Sequence, residues 1–240
     1  MSDRPVILST APLRGPGLDA LRGLGDVVLD PWIDHQPLRL YDAEALAARA
    51  VDEGASILIC EADRCAGPVL DLPLIAIGST RGDPTNVDLP AATAKGIPVL
   101  RAPGRNADGV AELAVGLLLA VTRHVVPADR DVRAGQVYRD GSIPYQRFRG
   151  WQLEGRTAGL VGLGAVGRAI RWRLEGLGMR VIATDHPLVD MTNVVLTPPI
   201  GGATYDTETN HTALMADGLT ALLCGERPAN LANPEVLSDG

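Results

Sequence analysis

The chain has 240 residues, of which 46% are hydrophobic and 21% charged. That is an ordinary globular composition, with enough chain for one large or two small domains. A net charge of -7 argues against a general nucleic-acid binder, which carries a basic face, and against electrostatic docking on anionic membranes. From the N-terminus, "PVILST" (Pro5–Thr10) reads as a strand and "LDALRGLG" as a short helix ending at a glycine. "DVVLD" is a second strand, and "YDAEALAARAVDEG" is a helix that Gly54 stops. "SILIC" and "LPLIAIGS" are the third and fourth strands. "DLPAATAKG" is a short helix with Asp88 as N-cap and Gly96 just past its end, and "IPVLRAP" is the fifth strand. This alternation predicts an α/β protein whose parallel sheet carries helices on both faces.

A longer helix follows, capped near Asn106 and running to about His124. Its apolar run, about Gly109 to Val121, includes Glu112 and is well short of the ~20 residues a bilayer span needs, so it reads as a buried helix. Pro127 to Gly155 is polar and rich in Arg, Asp and Gly, and reads as an arm or connection. The N-terminus shows no basic-then-apolar leader pattern. Cys60, Cys65 and Cys224 are an odd, scattered set with no disulfide framework. They fit a reducing cytoplasm and, lacking a cysteine–histidine partner pair, predict no metal site.

"RTAGLVGLGAVGRAIRWRLEGLGMRVIATD" (Arg156–Asp185) then gives a strand, a glycine turn, a helix with Val166, Ile170, Leu174 and Leu177 on one face, and a second strand. The turn is Gly162-Leu163-Gly164-Ala165-Val166-Gly167. Alone such a pattern is weak, but here it sits between strand and helix, and Asp185 follows 23 residues after Gly162, near the ~20 expected of a dinucleotide site. Gly162 permits the turn, Gly164 lets a pyrophosphate approach the backbone, and Gly167 lets helix and strand pack. The first helical turn at Ala165 and Val166 offers free N–H groups to the phosphates. Asp185 would accept from ribose hydroxyls, favouring NAD over NADP. The alternative is a structural turn without a ligand. A last amphipathic helix lies around Leu214, Met215, Leu219 and Leu222.

Together these stretches resemble the D-2-hydroxyacid dehydrogenase family, which includes phosphoglycerate dehydrogenases and glyoxylate reductases. "STRGDPTNVDLPAATAKGIPVLRAPGRNADGVAELAVGLLLAVTRH" is similar to the family's substrate loop, strand and interdomain helix. "LEGRTAGLVGLGAVGRAIRWRLEGLGMRVIATD" is similar to its cofactor motif, and "HPLVDMTNVVLTPPIGGAT" and "NLANPEVL" to its C-terminal return. The resemblance implies a flavodoxin-like substrate-type domain of residues 1–103 and 197–240. It also implies a reduced Rossmann-type NAD-binding domain of residues 104–196, with NAD as cofactor. The substrate-loop candidates are Gly78, Ser79, Arg81 and Gly82, where the family holds a substrate carboxylate. Arg81 would assist a small anionic ligand, but Asp83 stands where relatives carry glycine and would repel an acid.

The departures are as informative. The family places its catalytic histidine in a T-P-H-I-G-G pattern, and the matching position is Pro199, which cannot transfer a proton. Asp185 runs straight into His186-Pro187-Leu188, where the family has a second half of the doubly wound domain. Roughly 80 residues are missing at about 30 or more per βαβ unit. Only Asp185 to Thr192 separates two strand-like runs, fewer than the dozen or more that a parallel crossover needs. The lost block carries the family's substrate arginine and the carboxylate that orients the histidine; Arg227, Glu208, Glu226 and Glu235 match neither. The expectation is therefore a truncated, NAD-binding pseudo-dehydrogenase or repurposed protein. The alternative is an active oxidoreductase, or a non-redox enzyme, acting on a small 2-hydroxy or 2-keto acid with relocated groups. A cut sheet should leave apolar surface that a homodimer covers, through the long helix and the arm with its Tyr138, Tyr145, Phe148 and Arg149. His124 reads as a cation at a helix C-terminus, His186 as a loop residue and His211 as solvent-facing.

Overall fold

A computed structural model describes residues 4–184 and 201–237. The chain divides into two compact units. The first comprises residues 1–105 and 205–240, the second residues 106–204.

The first unit is a five-stranded parallel sheet in the order β2-β1-β3-β4-β5, the doubly wound flavodoxin-like order. Its strands are β1 (Val6–Ser9), β2 (Asp26–Leu29), β3 (Ile57–Cys60), β4 (Ala76–Ser79) and β5 (Val99–Leu100). The helices are α1 (Pro16–Leu24), α2 (Ala43–Glu53), α3 (Leu89–Ala94) and α8 (Tyr205–Leu223). The Asp88 cap and the Gly54 stop follow the sequence reading, Asp42 is an additional cap, and Asn106 starts the helix Ala107–Thr122 without a side-chain cap bond. Asp42 accepts from the Ala45 N–H and Asp88 from the Ala91 N–H, and Gly54 closes α2 with a left-handed φ of 64°.

Residues in a strand alternate between faces, and here both faces are buried. Leu8, Leu58, Cys60 and Ile77 join α2, α3 and the 3-10 turn Gly67–Asp71 in one core. Ile7, Ile57, Ile59 and Ala76 join Leu21 of α1 and Met215, Ala216 and Leu219 of α8 in the other. Close approach of α8 is built into two glycines. A Cβ at Gly17 would lie 2.7 Å from the Ala213 nitrogen, and one at Gly78 would lie 2.7 Å from Met215 Sδ. The last helix starts at Tyr205, earlier than the apolar pattern indicated, and buries one face against the sheet.

The second unit contains α4 (Ala107–Thr122), α5 (Val125–Arg133), α6 (Pro144–Arg147), β6 (Thr157–Val161), α7 (Ala165–Gly176) and β7 (Arg180–Thr184). Among the described residues its sheet is β6 paired with β7 in parallel. Its core is small: Leu153, Leu174 and Met179, with Val115, Leu118, Ala158, Leu160, Ile170 and Val181 packed against them. An apolar cavity of about 340 Å³ lies among α4, β6 and α7, lined by Val115, Leu118, Leu160 and Ile170.

Two expectations are corrected here. The long helix ends at Thr122, and His124 adopts a left-handed φ of 55° as N-cap of α5. It is a corner between helices, not the last-turn cation of α4. The arm is also more ordered than its polar composition suggested. Arg147 donates to Asp131 (3.1 Å), to the Ser142 carbonyl (3.0 Å) and to the Val137 carbonyl (2.6 Å), folding the segment on itself. Tyr138 and Tyr145 stay exposed.

Candidate functional site

The glycine turn joins the end of β6 to the start of α7. Gly162 has φ +87°, a conformation that L side chains rarely adopt, and its N–H donates to the Thr184 carbonyl at 2.6 Å. Gly167 is buried, and a Cβ there would meet the Gly162 carbonyl oxygen at 2.2 Å. Only glycine lets the helix start beneath the turn. Gly164 is different: it is exposed, it is the N-cap of α7 without a side-chain cap, and a Cβ on it would meet nothing within 4 Å. Space therefore opens beside the backbone where the first-turn N–H groups, including those of Ala165, Val166 and Gly167, have no carbonyl one turn earlier to bond. An anion at that point would be held by several N–H groups and the helix dipole. The turn fits a dinucleotide pyrophosphate. Asp185, the ribose candidate, and Pro199 lie outside the described residues, as does His186.

The substrate-loop candidates divide between two environments. Gly78 and Ser79 are buried in β4; the Ser79 hydroxyl donates to Asn86 Oδ1 at 2.7 Å. Arg81 is exposed just beyond the strand, Gly82 is half-buried, and Asp83 is exposed. The Arg81 carbonyl accepts from the Ala102 N–H at 2.7 Å, and its guanidinium reaches the Glu61 carbonyl at 3.5 Å. Between them the Thr80 hydroxyl is buried without a partner. The structure thus brings Arg81 and Gly82 to the carboxyl edge of the sheet and uses Gly78 and Ser79 for packing.

One charged cluster at the same edge escaped the sequence reading. His211, expected to face solvent, is 1% exposed. Its Nε2 lies 2.5 Å from the Pro12 carbonyl and must carry the proton, so Nδ1 accepts from Arg105 at 2.9 Å. Arg105 also pairs with Glu61, which in turn accepts from the Trp32 indole at 3.3 Å. Asn210 Nδ2 donates to the Arg105 carbonyl at 2.9 Å. Burial, countered by the bond to Pro12 and reinforced by the Arg105 charge, pushes the His211 imidazole below its ordinary value. Both ring nitrogens are engaged, so this histidine positions α8 rather than exchanging protons with a ligand. The three residues are too far apart in sequence for a local pattern to reveal them; a histidine on the apolar side of the last helix was the sole signal.

Among the described residues no group of three or more His, Cys, Asp or Glu side chains is arranged to hold a metal. No single helix among them is long and apolar enough to cross a membrane.

Residues 115–188 match the family model described as D-isomer specific 2-hydroxyacid dehydrogenase, NAD binding domain. The chain is 37% identical over 186 residues to a glyoxylate reductase of Thermofilum pendens, covering 76% of this chain and 52% of that protein. It is 32% identical over 181 residues to a D-3-phosphoglycerate dehydrogenase of Methanocaldococcus jannaschii, covering 75% and 32%. The solved structure of an NADPH-dependent glyoxylate/hydroxypyruvate reductase from Sinorhizobium meliloti, in complex with citrate, superimposes with a TM-score of 0.67. It is 19% identical, and the match covers 97% of this chain and 98% of that one. The TT0316 protein of Thermus thermophilus gives a TM-score of 0.74 at 24% identity, over 95% of this chain and 99% of that one. The chain is similar to D-2-hydroxyacid dehydrogenases over about three quarters of its length, and it spans about half, or less, of the length of these two sequence relatives.

Proposed function

We propose that this chain binds NAD(H) through the turn from Gly162 to Gly167 and does not carry out the hydride transfer of its relatives. The observation that carries the reading is the open backbone at Gly164 above the uncapped start of α7. Ala165, Val166 and Gly167 would present N–H groups to the pyrophosphate, and Asp185 would take the ribose. A bound nicotinamide would supply a hydride donor or acceptor. The residue that should exchange the accompanying proton is Pro199, and no arginine or glutamate of the chain matches the family's other two catalytic positions. Loss of the second half of the nucleotide domain accounts for both the short Asp185–Thr192 connection and the thin second unit. The Glu61–Arg105–His211 cluster does not favour a relocated active site, because its hydrogen bonds are already used within the fold. Arg81 and Gly82 would meet a small anionic ligand, with Asp83 opposing it.

The test is a titration with NADH followed by nicotinamide fluorescence and heat, and then by addition of glyoxylate, pyruvate and hydroxypyruvate. The expected result is saturable binding with no NADH consumed. Consumption would overturn the loss of chemistry and revive the oxidoreductase alternative. Absence of binding at millimolar NADH or NAD would overturn the dinucleotide reading. The same reading includes a homodimer that covers the apolar surface of the second unit; light scattering at micromolar protein showing a monomer would sink it.

A further inference from the structure

We propose that Cys60 and Cys65 form a reversible disulfide that locks the loop between them. The two Sγ atoms lie 2.9 Å apart, both buried, inside the contact distance of two sulfurs. Reaching a bond of about 2.05 Å needs a movement under about 1 Å. The backbone already fixes both residues. Cys60 ends β3 in register with Ser79 of β4, and Cys65 pairs with Val87 in a short parallel bridge, its N–H donating to the Asn86 carbonyl at 2.9 Å. The loop they bracket carries Glu61, which takes the Arg105 ion pair, and Asp63, which accepts from the Thr10 hydroxyl at 2.5 Å and the Tyr41 N–H at 2.7 Å. The cross-link would therefore tie these contacts to β3.

The oxidant is a low-molecular-weight disulfide such as oxidised glutathione. One cysteine thiolate attacks it, releasing one glutathione and leaving a mixed disulfide. The second thiolate displaces the other glutathione, and the two thiol protons end on the two released glutathiones. Burial leaves the oxidant dependent on loop opening, so equilibrium rather than rate is the proper measure.

The full chain carrying Cys224→Ser, which removes the exposed thiol, would be equilibrated in stepped glutathione buffers with and without urea. The approach is made both from reduced protein and from protein oxidised while unfolded and then refolded. Acid-quenched samples are read by intact mass and peptide mapping. The expected result is convergence on a Cys60–Cys65 disulfide favoured at least about tenfold more in the native buffer than in urea. Equal or weaker formation in the native state, or glutathione adducts alone, would overturn the proposal. The comparison is made within one variant, so it does not depend on whether Cys60→Ser folds.

Discussion

β3 and β6 are both short strands of a parallel sheet, each with parallel neighbours expected on its flanks, yet they meet different surroundings. All four residues of "ILIC" are buried, whereas "TAGLV" alternates between exposed and half-buried. In the first unit, α1 and α8 cover one face of the sheet and α2 and α3 the other. In the second, α4 and α7 pack on the face bearing Ala158 and Leu160. On the other face, Val161 is 43% exposed, and Ile182 of β7 is 57% exposed. Parallel strands ordinarily need cover on both faces. The comparison teaches that a strand's burial depends on elements that arrive from elsewhere in the chain.

The sharpest way to test this difference is to truncate equivalent core side chains. Leu58→Ala, in the doubly covered sheet, should cost about 2–5 kcal/mol in urea unfolding. Leu174→Ala, beside the existing apolar cavity, should fall at the low end of that range; an equal or larger loss there would show that the second unit is as well packed as the first.

The glycine turn offers a second contrast. Gly167→Ala places a Cβ against the Gly162 carbonyl and should destabilise the second unit by about 1–3 kcal/mol, seen as earlier loss of its amide protection. Gly164→Ala should leave stability unchanged and weaken NADH binding about tenfold by calorimetry. Equal effects of the two substitutions on stability would contradict the geometry described for the turn.

The first unit should also respond to pH through His211. Burial first, and the Arg105 charge after it, holds the folded His211 imidazole below its ordinary 6.5, so the unfolded chain binds the proton more readily. Stability from this site is present above about pH 6.5 and is lost as pH falls below it. His211→Gln should remove that slope while costing about 1–3 kcal/mol at neutral pH. An unchanged slope in the variant would place the pH response on another group.

The smallest effect is expected on the open face. Val161→Lys should change the stability of an isolated chain by no more than about 0.5 kcal/mol. A dimer that covers this face would instead dissociate, which light scattering reads directly.

Several features were legible from residues alone because they are local. The Asp88 cap, the Gly54 stop and the strand–glycine–helix order around Gly162 each depend on a few neighbours in sequence. The five-strand alternation likewise reported the parallel sheet, since runs buried on both faces are continuous in hydrophobicity. The fate of His211, the self-folded arm around Arg147 and the meeting of Cys60 with Cys65 were not legible. Each depends on partners that only the tertiary path brings near: Pro12 and Arg105 for the histidine, Asp131 and the Ser142 and Val137 carbonyls for the arginine, and the Val87 bridge for the cysteine pair.

By itself the sequence determined most of the elements, their order and the glycine turn of the nucleotide motif. Those are matters of local backbone preference and side-chain identity. The tertiary structure decided which polar groups are buried, which of the substrate-loop residues remain available, and how unequally the two sheets are covered. Burial and long-range hydrogen bonding are properties of what packs against a residue, and no residue carries that information within its own neighbourhood of the chain.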